Sequence, residues 1–203
     1  MTAPDTVDAE PTVTSKPFWP TAITIAVIVV ITVVVVARPL WERWFNELTD
    51  GPPEPVVFTS QLFGFGATYP REPTIDSHTE SAPGLEIEVT TVYAETSKTS
   101  FGVSAIDSRN LAIPDPSTLS GADLDILLKS SLDGAVANVE GGTLITYDYA
   151  VVGGTRSVIA DIDTAAGPAT IAIVIADNEY FIVTASTTSE KDAERFIDSF
   201  ELL

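Results

Sequence analysis

The stretch Ala169–Ala176, with the sequence ATIAIVIA, decides the fold class, because it is apolar on both of the faces that a strand would present. Strands with one solvated face alternate between apolar and polar residues, whereas strands covered on both faces read as nearly continuous apolar runs. The short linker Asp177-Asn178-Glu179 joins this stretch to a second apolar run, Tyr180–Ser186. We therefore predict that residues 169–176 form a central strand of a sheet that is covered on both sides.

Alternating runs elsewhere in the chain predict further strands, each with one buried face. In the run 85–90, apolar residues alternate with Glu86, Glu88 and Thr90, which is the two-residue period of a strand. Gly153-Gly154 predicts a hairpin, because both positions can adopt a positive φ. The strands predicted in this way are Leu85–Thr90, Phe101–Ala105, Ile145–Val151, Thr155–Asp163 and Tyr180–Ser186.

Two helices are predicted by capping residues that precede apolar positions spaced three and four apart. Ser120 with Asp123 begins the first helix, and Ser189 with Asp192 begins the second. We expect the two helices to bury Leu124, Leu127, Leu128, Leu132 and Val136, and Ala193, Phe196, Ile197 and Phe200. The sequence thus predicts an α+β domain in which a mostly antiparallel sheet packs against helices.

Residues 18–37, FWPTAITIAVIVVITVVVVA, carry no charge and predict a single transmembrane helix. Their length at about 1.5 Å per residue spans about 30 Å, the thickness of a bilayer's hydrocarbon core. Trp19 lies at one end and Trp41 and Trp44 lie beyond the other, where indole rings settle at headgroup depth, so we predict that they anchor the segment at the membrane interface. A buried core helix and a cleavable signal peptide are the alternatives.

This span divides the chain into four predicted parts. Residues 1–17 form a disordered acidic tail, because they are polar and interrupted by proline. Residues 18–37 are the transmembrane helix, and residues 38–55 are a juxtamembrane helix followed by a Pro-rich spacer. Residues 56–203 have the length of one domain and hold 22 acidic and 7 basic side chains, a net charge of −15.

The composition excludes several classes of function. The chain has no cysteine, which rules out a disulfide framework, a thiolate metal site and a cysteine nucleophile. Its net charge of −19 repels phosphate backbones, so we expect no nucleic-acid partner. The sequence also lacks the motifs of an activated serine hydrolase, a P-loop and a helical zinc protease. We predict no cofactor, no metal and no catalytic residue.

The acidic residues and the single histidine are the first candidates for a site. His78 lies in the polar stretch 76–80, which is typical of a solvated loop, although a general base or metal ligand could sit there. Asp161 and Asp163 share a strand face but supply too few oxygens for calcium, so we interpret them as a solvated face that discourages edge pairing. The acids in the first turns of the helices, where they complement the helix dipole, are Asp123, Asp125, Glu190, Asp192 and Glu194.

Arg156 and a set of aromatic residues complete the candidates. Arg156 lies beside the glycine hairpin and could bind an acidic ligand, but the favoured interpretation is a salt bridge with an acid of a neighbouring strand. The aromatic set could line an apolar pocket between sheet and helix, although residues at strand spacing are more often core. It consists of Tyr147, Tyr149, Tyr180 and Phe181.

Four segments of the domain carry a resemblance to a known family. They read FGFGATYPREP at 63–73, GGTR at 153–156, NEYF at 178–181 and AERFIDSFEL at 193–202. Together they resemble the PsbP-like group of exported or membrane-tethered bacterial domains, over residues 56–203. The resemblance implies a central antiparallel sheet between helices and an accessory role without catalysis. The chain differs in having a predicted span where relatives often carry a lipobox, and in lacking the tryptophan that often follows the opening Tyr-Pro.

These observations give an expected function and location. We expect a non-catalytic accessory protein, anchored in the cell membrane by residues 18–37, whose extracytoplasmic domain binds a protein partner. A carrier or sensor for a small apolar or cationic ligand is the alternative, and an enzyme of unknown type is a third. Because Lys16 on one flank nearly balances Arg38 and Arg43 on the other, the predicted cytoplasmic N-terminus rests on the resemblance to exported domains.

Overall fold

The computed structural model describes residues 54–82, 85–96, 98–107, 114–176 and 179–203. Ten strands and two α-helices lie in this part of the chain. The strands are β1 (Val56–Ser60), β2 (Phe65–Tyr69), β3 (Thr74–Ala82), β4 (Leu85–Glu95), β5 (Ser100–Asp107), β6 (Thr143–Val152), β7 (Thr155–Thr164), β8 (Gly167–Ala176), β9 (Glu179–Ser186) and β10 (Glu201–Leu202). The helices are α1 (Gly121–Asn138) and α2 (Glu190–Asp198).

The strands form two antiparallel sheets. The larger sheet has seven strands in the order β3-β4-β5-β9-β8-β7-β6, so β3 and β6 are its edges. The smaller sheet has three strands in the order β1-β2-β10. The predicted α+β class and the mostly antiparallel sheet are confirmed.

The stretch 169–176 lies inside β8, between β9 and β7. Residues 171–175 are all buried, on both faces of the sheet. The prediction of a central strand covered on both sides is therefore confirmed. The hairpin prediction is confirmed as well, since Gly153 and Gly154 connect β6 to β7 with φ values of 59° and 86°.

Each face of the larger sheet carries its own hydrophobic core. On one face, Leu128, Leu132 and Val136 of α1 pack against residues such as Ile171 and Ile173 of β8. On the opposite face, α2 and the smaller sheet pack together against β4, β5, β8 and β9. Aromatic rings dominate this second core: Phe65, Tyr69, Phe101, Phe181, Phe196 and Phe200. The result is three layers, with the larger sheet in the middle.

Both helices begin where the capping residues predict. The Ser120 hydroxyl accepts a hydrogen bond from the Asp123 backbone amide at 3.2 Å, and the Ser189 hydroxyl does the same for the Asp192 amide at 3.3 Å. These bonds satisfy backbone donors that have no partner within the first turn of a helix. The apolar residues predicted for α2 are buried, and Glu194 on the same helix is exposed.

The prediction of a loop around His78 is wrong, because residues 74–82 form the edge strand β3. This strand is polar, and it forms because β4 supplies a complete antiparallel partner, with His78 opposite Val89. Pairing with a neighbouring strand outweighs the low strand propensity of its serine and aspartate residues. Strands β1, β2 and β10 were not predicted from alternation either.

The predicted membrane segment lies outside the described residues. This applies to the tail at 1–17, the transmembrane helix at 18–37, the three tryptophan anchors and all of 38–55 except Glu54 and Pro55. Among the helices of the described ranges, none combines the length and apolar character needed to cross a bilayer.

Candidate functional site

A groove on the α2 face of the larger sheet is the candidate site. It lies between helix α2 and the strands β6, β7 and β8, and its volume is about 280 Å³. Ile159 and Ile197 contribute apolar side chains, and Thr146 and Thr170 contribute hydroxyls. Five carboxylates also line it: Asp148, Asp161, Glu190, Glu194 and Asp198.

Helix α2 supplies three of these carboxylates because of its periodicity. Glu190, Glu194 and Asp198 are four residues apart, which places them along one side of a helix. The helix is held in this orientation by Phe196 and Ile197, which are 3% and 2% exposed in the core. Packing of the apolar side therefore fixes the acidic side along the groove.

Strands β6 and β7 supply the other two carboxylates from the opposite side of the groove. Thr146 of β6 pairs with Asp161 of β7, and Asp148 pairs with Ile159. Paired residues of antiparallel strands point to the same face, so Asp148 and Asp161 both face the α2 layer. Asp161 accepts a hydrogen bond from the Thr170 hydroxyl at 2.9 Å, which fixes its position.

No basic side chain balances these acids within the described lining of the groove. The two cations on α2 are Lys191 and Arg195, and Arg195 lies 3.5 Å from Asp192, which does not line the groove. Glu190, Glu194 and Asp198 make no ion pair with any residue of the described ranges. The groove is thus a concentration of negative charge above an apolar floor, and it can attract a cation by charge complementarity.

The described residues contain no group of three or more histidine, aspartate or glutamate side chains arranged to hold a metal ion. The carboxylates line the two sides of the groove rather than converging on one point. Their arrangement suits several positive charges spread along a chain or a surface. Calcium, by contrast, takes six or more oxygen ligands that converge on one point at about 2.3–2.6 Å.

Arg156 lies on the other face of the sheet, where it pairs with a helix residue rather than with a strand residue. Its guanidinium donates two hydrogen bonds to the Asp125 carboxylate, at 2.6 and 2.9 Å. The hydrogen bond from Arg156 holds the pKa of Asp125 below its usual value. The predicted strand partner is therefore wrong, because α1 crosses above β7 and brings Asp125 closer than any acid of a neighbouring strand.

The four aromatic residues do not share a pocket. Tyr180 is buried in the core beneath α1, and Phe181 is buried in the opposite core. Burial also raises the pKa of Tyr180. Tyr147 and Tyr149 lie on β6, where Lys129 sits 5.0 Å above the Tyr147 ring and Arg156 sits 5.1 Å from the Tyr149 ring. Adjacent residues such as 180 and 181 point to opposite faces of a strand, which explains the separation.

The remaining acidic candidates divide between structural and groove positions. Asp161 and Asp163 share an exposed face of β7 as predicted, and only Asp161 lines the groove. The interpretation that they discourage edge pairing is wrong, because β7 is an interior strand that pairs with both β6 and β8. The sequence assigns Glu190 and Glu194 to the helix dipole, and the structure places them in the groove as well. Asp148 and Asp198 were missed. Their only signal is the alternation of β6 and the four-residue spacing of α2.

Comparisons with known proteins agree with the fold. No protein-family model matches the sequence, and no curated protein matches it. The solution structure of cyanobacterial PsbP (CyanoP) from Synechocystis sp. PCC 6803 is similar, with a TM-score of 0.50 and 12% identity over 76% of this chain and 95% of that chain. Similarity at this identity concerns the fold alone. The resemblance predicted from the four sequence segments is confirmed at that level, and the chain has a PsbP-like fold.

Proposed function

We propose that this chain is a non-catalytic accessory protein that binds a basic segment of a protein partner in the acidic groove. The observation that carries the proposal is the arrangement of Glu190, Glu194 and Asp198 along one side of the groove, opposite Asp148 and Asp161. Because no basic side chain is among the described lining residues, the five carboxylates raise the local concentration of a positively charged partner. Several exposed charge pairs, each weak alone, add up when the partner carries a matching row.

The size of the groove favours side chains of a protein over a small molecule. Pockets that hold drug-sized ligands usually enclose about 300–1,000 Å³ and bury most of the ligand. The groove measures about 280 Å³ and is rimmed by exposed acids. A small cationic ligand, such as a polyamine, is the alternative that the same carboxylates favour.

The ionisable groups of the groove support a binding role rather than catalysis. The ionisable side chains that line the described groove are all carboxylates of aspartate and glutamate, apart from Tyr147. The single histidine of the chain lies on the edge strand β3, at the opposite edge of the seven-stranded sheet from β6. The Thr170 hydroxyl donates a hydrogen bond to the Asp161 carboxylate at 2.9 Å, but no histidine or lysine, the bases that usually activate such a hydroxyl, lines the described groove.

A charge-neutralising variant tests the proposal. The probe is a fluorescent peptide of four Lys-Gly repeats, which carries positive charge without strand propensity, titrated against the full-length chain in detergent. The variant Glu190→Gln, Glu194→Gln, Asp198→Asn removes the three negative charges along the α2 side of the groove. The matched control Glu72→Gln, Glu86→Gln, Glu88→Gln removes the same charge from exposed positions that do not line the groove.

We expect the groove variant to weaken binding about tenfold, because three exposed charge pairs contribute roughly 0.2–1 kcal/mol each. The control variant should bind within about threefold of the wild type, because salt screens charges farther away than about 8 Å. Equal weakening by both variants would show that net charge alone attracts the peptide. Spermidine binding as tightly as the peptide would favour the small-ligand alternative.

We also propose that residues 18–37 anchor the chain in the cell membrane, with the N-terminus in the cytoplasm and the domain outside. The support is the uncharged apolar run and the three flanking tryptophans. Protease added to intact cells should degrade the domain while a cytoplasmic marker survives. Protection of the domain, alongside digestion of a known surface protein, would reverse this orientation.

A further inference from the structure

Among the described residues, strand β6 is a long edge strand that pairs on one side only. It runs over ten residues, Thr143–Val152, and its one described neighbour in the sheet is β7. An edge strand presents a row of backbone amide and carbonyl groups that another strand can pair with. The register of β6 shifts between Leu144 and Thr146, and the strand pairs continuously with β7 from Thr146 to Val152.

The face of β6 that lies on the α1 side carries large apolar side chains that are partly exposed. Tyr147, Tyr149 and Val151 pair with Ala160, Val158 and Arg156. Val158 and Ala160 belong to the core beneath α1, so all three β6 side chains point to that side. Tyr147 is 42% exposed and Val151 is 73% exposed, which leaves apolar surface uncovered at the edge.

The face of β6 that lies on the α2 side leads into the acidic groove. Thr146, Asp148 and Ala150 alternate with the apolar residues and line the groove. A strand added beside β6 would place every second side chain at the mouth of this groove. Its other side chains would lie beside Tyr147 and Val151.

We propose that the partner binds by adding a strand to the β6 edge, as an extended segment in which basic and apolar residues alternate. This inference rests on the proposed function, because it specifies how the basic segment reaches the groove. The basic residues point toward Asp148, Glu194 and the other groove carboxylates, and the apolar residues pack against Tyr147 and Val151. Backbone hydrogen bonds supply affinity and the alternation supplies specificity.

The same charges argue against a second copy of this chain as the occupant. Pairing β6 with β6 of another copy would bring two acidic grooves together, at a cost from like-charge repulsion. A charged residue such as Asp148 at the middle of an edge strand is also a common protection against self-association.

Two peptides of the same composition test the alternation. One has four Lys-Val repeats, and the other has two Lys-Lys-Val-Val repeats, which places lysine on both faces of a strand. Binding to the full-length chain is measured by fluorescence anisotropy, and hydrogen exchange of residues 143–152 is followed by mass spectrometry. We expect the alternating peptide to bind about tenfold more tightly than the permuted one and to slow exchange in β6.

Two variants separate strand addition from simple charge attraction. Tyr147→Ser, or Val151→Ser at a more exposed position, should weaken binding of the Lys-Val peptide but not that of the Lys-Gly peptide. Equal binding of the two isomeric peptides, or unchanged exchange in β6, would overturn strand addition. Binding of the Lys-Gly peptide would then still report on the groove itself. Concentration-dependent dimerisation with protection of β6 in the absence of peptide would assign the edge to a second copy and also overturn the proposal.

Discussion

At residue 153, the hairpin between β6 and β7 passes directly against the ring of Phe200. A Cβ atom on Gly153 would lie 2.9 Å from Phe200 Cε1, whereas a Cβ atom on Gly154 would have no atom within 4 Å. Both residues have positive φ, at 59° and 86°. The two glycines therefore share a backbone requirement, and only Gly153 has a packing requirement as well.

We expect Gly153→Ala to destabilise the domain more than Gly154→Ala. Positive φ costs either alanine roughly 1–2 kcal/mol, and overpacking against Phe200 adds about 1–3 kcal/mol at position 153. Urea denaturation gives the free energy of unfolding of each variant. Equal destabilisation of the two variants would mean that the Phe200 ring can move away from the added methyl group without a loss of folding free energy.

The Asp125–Arg156 pair predicts a pH-dependent contribution to stability. The folded-state pKa of Asp125 is lowered by the hydrogen bond from Arg156, so the pair stabilises the fold at pH values above the ordinary aspartate pKa. This contribution is lost as the pH falls through the lowered pKa of the folded state. We expect Asp125→Asn to reduce the melting temperature at neutral pH, with the difference from wild type shrinking as the pH falls below the ordinary aspartate pKa. Asp163→Asn is the control, because it removes an exposed aspartate outside this pair. A difference in melting temperature between Asp125→Asn and wild type that stays constant with pH would contradict the assignment of this contribution to the Asp125–Arg156 pair.

At the scale of elements, helix α2 contributes to both the hydrophobic core and the acidic groove. Its apolar side, with Ala193, Phe196 and Ile197, lies in the core, and its acidic side lines the groove. The Phe196 ring contacts the rings of Tyr69 and Phe101, with centroids 5.2 and 5.1 Å away. Burial of one side thus determines where the charges of the other side lie.

We expect Phe196→Ala to destabilise the domain by about 3–5 kcal/mol, because it removes a buried aromatic ring. Glu194→Ala, which changes an exposed residue of the same helix, should change the free energy of unfolding by less than about 0.5 kcal/mol. Thermal denaturation of the two variants measures both effects. Two equally mild changes would show that α2 does not depend on this core.

The elements also show how far the sequence alone predicts this fold. The central strand β8 and the caps of both helices were predicted because their signals are local: a continuous apolar run, and a serine three residues before an aspartate. Strand β3 was missed because its polar residues form a strand only when β4 lies beside them. The groove was missed because β6 and α2, which form it, are about forty residues apart and carry no shared motif.

At the scale of the whole molecule, the charge distribution is the clearest feature. The domain at 56–203 carries a net charge of −15, and five carboxylates gather in one groove beside the β6 edge, which no second strand of the described ranges pairs with. Long-range attraction of this kind accelerates encounter with a basic partner and weakens as salt increases. In the proposed mode of binding, the edge strand and the groove determine which basic segments fit.

The measurement that tests this account most directly is the location at which a basic peptide binds. Amide chemical shifts of the isotopically labelled full-length chain are recorded while the Lys-Val peptide is added. We predict that the largest changes fall in β6, in the adjoining part of β7 and along α2, and that the Glu190→Gln, Glu194→Gln, Asp198→Asn variant requires about tenfold more peptide to reach them. Changes centred on the α1 face, or spread evenly over all acidic surfaces, would contradict the claim that the groove is the binding site.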